Sequence, residues 1–199
     1  MGQAHSLADP VWMDGDGETK FIVVQGVKGS GRSWLCDALV ANGCACIDVQ
    51  KFARAHYNPE LSRSENEHNT AAKYKDFVSG VKNRVVVLVS DKRVKSRRPM
   101  AKFFIELSGD SLPTAYRRGQ AMMLDRVTRH SEEIRNAVRT WPISNVHRAF
   151  PQFGFDFKYR DSFSKFASEY RKAQKESAAA GYQVMPASDI KTAIAKMCR

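Results

Sequence analysis

Short apolar runs rich in β-branched residues alternate along this chain with stretches whose apolar positions recur every three or four residues. The first run, "FIVVQG" (Phe21 to Gly26), is continuous rather than alternating and ends on glycine. That pattern predicts a strand covered on both faces, as in a parallel sheet. From Ser33 to Val40, residues Trp34, Leu35, Ala38 and Leu39 follow helical spacing, and Asn42 with Gly43 supplies a stop. "CACIDV" (Cys44 to Val49) predicts a second short strand, followed by a helix-compatible polar region to about Gly80. Within that region "PELSRSENEHNT" (Pro59 to Thr70) has the composition of a mobile loop. "RVVVLVSD" (Arg84 to Asp91) and "KFFIELSGD" (Lys102 to Asp110) predict a third and a fourth strand, each running into acidic residues.

The pattern then turns helical from Leu112 to about Arg139, where Ala121, Met122, Leu124, Val127, Ile134, Ala137 and Val138 form an apolar stripe among arginines. Pro142 and Pro151 bracket an irregular, increasingly aromatic connection, "FPQFGFDFKYRDSF", whose density of rings points to packing. A helix over Ser162 to Ala180, a last strand in "GYQVMPASD" and a closing helix from Ile190 to Met197 complete the series. Strands alternating with helices predict a three-layer α/β fold with a mainly parallel sheet. At 199 residues the chain suits one domain, residues 20–199, behind a flexible leader over residues 1–19.

Charge changes the picture next. Thirty-two Lys and Arg against 21 Asp and Glu give a formal net charge of +11, which favours polyanionic partners: nucleic acid, anionic lipid or phosphorylated small molecules. The four cysteines, Cys36, Cys44, Cys46 and Cys198, lack the paired spacing of a zinc site, and reduced buried thiols are the expectation. His130 and His147 lie too far apart for a metal pair on one helix turn. No apolar run approaches the ~20 residues that span a bilayer, so a cytoplasmic protein is expected. The opening "MGQAHS" matches the acylation pattern at Gly2 and Ser6, which offers peripheral membrane contact as the alternative.

The chemistry concentrates between the first strand and the first helix. Gly26 to Ser33, "GVKGSGRS", fits G-x-x-x-x-G-[KR]-[ST], with Arg32 where lysine is usual. Glycines there let the backbone curl so that successive N–H groups converge, and the following helix adds its positive end at the same point. Lysine offers a compact charge, whereas arginine is a planar fork with stricter geometry, so the exchange is not conservative.

The run "VVQGVKGSGRSWLCDALVANGCACIDVQKFAR" resembles the opening of P-loop nucleoside and nucleotide kinase-like proteins, including phage deoxynucleoside monophosphate kinases and dephospho-coenzyme A kinases, and the P-loop portion of tRNA 2-selenouridine synthases. The resemblance covers Phe21 to Arg54. It implies a P-loop NTPase fold and a phosphate site built from Gly26, Lys28, Gly29, Ser30, Gly31 and Arg32 for ATP or another NTP, with Ser33 as a ligand of Mg²⁺. It also places Asp48 near a phosphate acceptor. Asp91, delivered to the ligand edge by a buried strand, is the first choice for the acid that orients magnesium, with Glu106 or Asp110 as the second; each is equally a candidate helix cap.

Kinases of this kind close a helical lid over the migrating phosphoryl group, and Arg118, Arg126 and Arg129 are the arginines placed to serve there. A solvated polar face is the competing reading of the same residues. The basic loop "DKRVKSRRP", with Lys92, Arg93, Lys95, Arg97 and Arg98, suits either a nucleic-acid backbone or solvent. Two functions follow. One is a kinase-like phosphotransferase moving the γ-phosphate of ATP to a nucleoside, nucleotide or small hydroxyl acceptor. The alternative is a catalytically weakened nucleotide-binding accessory whose basic surface engages nucleic acid or an anionic membrane, for example in a viral complex.

Overall fold

A computed structural model describes residues 19–82, 84–91, 94, 99–128, 136 and 162–198. Its elements run β1 (Lys20–Gln25), α1 (Arg32–Ala41), β2 (Ala45–Asp48), α2 (Val49–Ala55), α3 (Arg63–Ser79), β3 (Val85–Ser90), β4 (Ala101–Ile105), α4 (Ser111–Thr128), α5 (Phe163–Ala179), β5 (Gln183–Met185) and α6 (Ala187–Met197).

The continuous apolar runs become strands because successive side chains point to opposite faces and both faces are covered. Ile22, Val24, Val87, Val89, Phe103 and Ile105 pack with Leu35 and Leu39 of α1 and Ile190 and Ile194 of α6. The interleaved Phe21, Val23, Val86, Leu88 and Phe104 pack on the other face with Tyr74 and Val78 of α3 and Tyr170 of α5. The expected three-layer α/β arrangement is therefore present, and every pairing in the five-stranded sheet is parallel. Strand order is β2-β3-β1-β4-β5, with Ile22 of β1 facing Val87 of β3 and Ala101 of β4.

This order places the candidate site. The connection leaving β1 passes through α1 on one face, whereas the connection leaving its neighbour β4 leads to α5 on the other. Adjacent parallel strands whose connections part in this way leave a crevice at their carboxyl ends, where ligands of open α/β sheets bind. The glycine-rich segment Gly26–Gly31 lies at that edge.

Four sequence expectations need correction. Pro59–Thr70 is not one loop, because α3 begins at Arg63. Ser62 caps the helix at the Glu65 N–H, while the Glu65 carboxylate accepts from the Ser62 N–H at 2.8 Å. This reciprocal capping box outweighs the loop-like composition. Trp34 is not in the apolar face of α1; it is 54% exposed beneath Lys191, and Cys36 takes the buried place. Nor are all cysteines reduced: Cys36 and Cys46 form a disulfide with Cα atoms 5.5 Å apart. Cys44 lies outside that bridge, and burial followed by its hydrogen bond to Cys198 pushes the Cys198 thiol well above its ordinary pKa. Finally, β2 stops at Asp48 and Val49 already opens α2.

Among the described residues no helix is long and apolar enough to cross a membrane. Gly2 and the leader, the histidines at 130 and 147, Arg129, most of the basic loop and the aromatic connection lie outside the described residues, as does the side chain of Arg126.

Candidate functional site

The Gly26 N–H donates to the Ser90 carbonyl at 3.0 Å, which fixes the start of the glycine loop to the end of β3. The Ser30 N–H then turns back to the Val27 carbonyl at 3.1 Å. Gly29 and Gly31 have φ of 83° and 90°, a left-handed region that costs a side-chain-bearing residue roughly 1 kcal/mol or more. At Gly26 the reason for glycine is space, since a Cβ there would press on Ser30 Oγ and Ile105 Cδ1. α1 starts at Arg32 with no side-chain cap on its first N–H groups. Ser30 Oγ is buried beside them with no hydrogen-bond partner among the described residues. The start of α1 and the Ser30 hydroxyl thus offer polar groups without side-chain partners among the described residues, which suits an anion with several acceptor oxygens.

A polar network stands on the β3 side of the loop. Arg32 Nη1 donates to Gln50 Oε1 at 2.8 Å, and Gln50 Nε2 donates to Ser90 Oγ at 3.0 Å. Arg32 Nη2 lies 3.9 Å from Asp91 Oδ2, an ion pair longer than a hydrogen bond. Ser33 Oγ donates to Asp48 Oδ2 at 2.8 Å, and Asp48 Oδ1 caps α2 by accepting from the Lys51 N–H at 3.1 Å. Asp48 is therefore both a helix cap and the partner of the loop serine, although it is only 7% exposed. Ser33 and Asp91, named together for magnesium, are not hydrogen-bonded to each other here. Asp91 Oδ1 is buried without a hydrogen-bond partner among the described residues. Carboxylate and hydroxyl oxygens of this kind fit a hard cation such as Mg²⁺, which keeps several waters and takes one or two protein ligands.

On the β4 side a cavity of about 500 Å³ opens from the loop. Gly29, Ser30, Glu106, Asp110, Thr114 and Arg118 are among its walls. β4 delivers Glu106, whose N–H bonds the Met185 carbonyl at 2.9 Å, and α4 delivers Arg118. Leu107 in the same wall is held by its N–H donating to the Tyr170 hydroxyl at 2.7 Å. Burial, the largest influence on that phenol, raises its pKa and keeps it protonated. α4 also comes close to the loop itself: the Gly29 Cα faces the Ala115 carbonyl so tightly that a Cβ would collide with it.

The named residues thus divide into two groups. Gly26, Lys28, Gly29, Ser30, Gly31, Arg32, Ser33, Asp48 and Asp91 share the loop and its β3 side, while Glu106, Asp110 and Arg118 share the cavity on its β4 side. Sequence reasoning missed Gln50 and Ser90. The signal for Gln50 was its place two residues after Asp48, just past a strand end on the ligand edge. Searched against protein-family models and against curated proteins, the chain matches none.

Proposed function

We propose that this chain is a P-loop nucleotide-binding protein with a kinase-like fold, and that it moves the γ-phosphate of ATP to a nucleoside, nucleotide or small hydroxyl acceptor. The observation that carries the reading is the loop: two left-handed glycines lead into a helix without a side-chain cap, beside a buried Ser30 hydroxyl that has no partner among the described residues, at the switch point between β1 and β4. On this reading the loop amides, Ser30 and Arg32 bind the phosphates. The adjoining cavity of about 500 Å³ has room for the nucleoside, with Arg118 at its wall.

Ser33, with Asp48 or Asp91, would hold Mg²⁺, which supplies charge neutralisation at the phosphates. Asp48 and Asp91 stand on the opposite side of the loop from the cavity, which suits the acceptor end of the site. Phosphoryl transfer asks the protein for positioning and electrostatic stabilisation rather than covalent chemistry. The second reading, a nucleotide-binding accessory, draws support from Arg32 being engaged by Gln50 and Asp91.

A transfer assay with labelled ATP against a panel of nucleosides, nucleotides and small hydroxyl compounds separates the two. Transfer by the native protein, lost in Arg32→Ala, supports the enzyme; tight ATP binding without transfer to any acceptor supports the accessory.

A further inference from the structure

Arginine in place of the loop lysine raises a geometric problem. A lysine ammonium is a point charge with three rotatable donors, and it can follow a phosphate oxygen from many directions. A guanidinium is a rigid planar fork and is effective only at the correct angle. Its angle has to be set by something outside the loop.

We infer that Gln50 is the positioning residue that lets arginine serve at this place, by fixing the Arg32 fork beside the loop without neutralising its charge. The inference rests on the phosphate-loop reading above. The Gln50 carboxamide can face only one way, because its Nε2 donates to Ser90 Oγ while its Oε1 accepts from Arg32 Nη1. The Asp91 N–H, 3.4 Å from the same Oε1, reinforces that orientation. Gln50 is thereby tied to the end of β3, the strand that also anchors the start of the loop through Gly26. The Arg32 side chain is 11% exposed, so few rotamers are open to it once that contact is made. Asp91 adds field rather than direction, since 3.9 Å exceeds hydrogen-bond length. A neutral carbonyl thus sets the angle without adding a second negative charge to that of Asp91.

Titration calorimetry with Mg·ATP, and separately with pyrophosphate, tests this on native protein, Gln50→Ala, Gln50→Glu, Arg32→Lys and the double variant Arg32→Lys/Gln50→Ala. Circular dichroism confirms that each is folded. Gln50→Ala should weaken binding of both ligands about tenfold, equivalent to ~1.4 kcal/mol, when Arg32 is present. In the Arg32→Lys background the same change should cost less than about twofold, because a lysine needs no orienting partner. Gln50→Glu keeps the shape but pairs the fork with a full charge, and should weaken binding more than Gln50→Ala does. Equal losses in both backgrounds, or no loss beside Arg32, would overturn the inference while leaving the phosphate loop standing. Absence of binding by the native protein would instead remove the loop reading, and this inference with it.

Discussion

At the scale of single residues, Asp48, which the sequence placed only near a phosphate acceptor, carries two structural tasks. One oxygen caps α2 through the Lys51 N–H and the other accepts from Ser33 in the glycine loop. The carboxylate is 7% exposed, so removing it leaves an N–H and a hydroxyl without their acceptor. Asp48→Ala should therefore lower stability by about 1–2 kcal/mol in urea unfolding, whereas Asp48→Asn, which can still accept at the cap, should lose less than half of that. Equal losses for the two variants would show that the charge, and not hydrogen bonding, matters there. The loop glycines were legible from spacing alone, because a left-handed backbone leaves a compositional mark. Gln50 was not, since a glutamine after a strand end carries no pattern until the fold brings Arg32 and Ser90 to it.

At the scale of elements, the strands were the most legible part of the chain. β3 is apolar from Val85 to Val89 and β1 from Phe21 to Val24, and burial on both faces leaves little room for another reading. α3 was the least legible at its start, because Ser, Asn, Glu and His are common in loops as well as at helix ends. Its capping box decides the matter, with Asn66 adding support by donating to the Asn58 and Leu61 carbonyls. Ser62→Ala should cost about 1 kcal/mol in chemical unfolding and leave nucleotide affinity unchanged. The hydrogen bonds from the Ser62 side chain and then its N–H hold the Glu65 carboxyl below its usual pKa. A depressed carboxylate stabilises the fold above its unfolded-state pKa and loses that effect as pH falls through the folded-state value. The stability gap between native protein and Ser62→Ala should accordingly narrow on acidification through the carboxylate range, leaving the part due to the Ser62 hydroxyl and the Glu65 N–H; a gap that widens as pH falls would contradict the box.

At the scale of the whole molecule, the Cys36–Cys46 bridge ties α1, which follows the glycine loop, to β2, which ends at Asp48. Spacing alone could not reveal it, because the pairing depends on a helix packing over its neighbouring strand. With a sequence separation of 10 between the cysteines, opening the bridge should cost about 2 kcal/mol, seen as a lower unfolding midpoint in dithiothreitol that Cys36→Ala/Cys46→Ala reproduces. The larger claim is that the sheet, the loop and both flanking polar regions serve one bound nucleotide, with the net charge of +11 favouring such an anion. The most direct test is calorimetric titration of the native protein with Mg·ATP. Saturable binding at one site, competed by pyrophosphate and weakened at least about tenfold by Arg32→Ala, is the predicted result. Titration to millimolar Mg·ATP with no saturable heat at any temperature tried, confirmed by equilibrium dialysis, would contradict it.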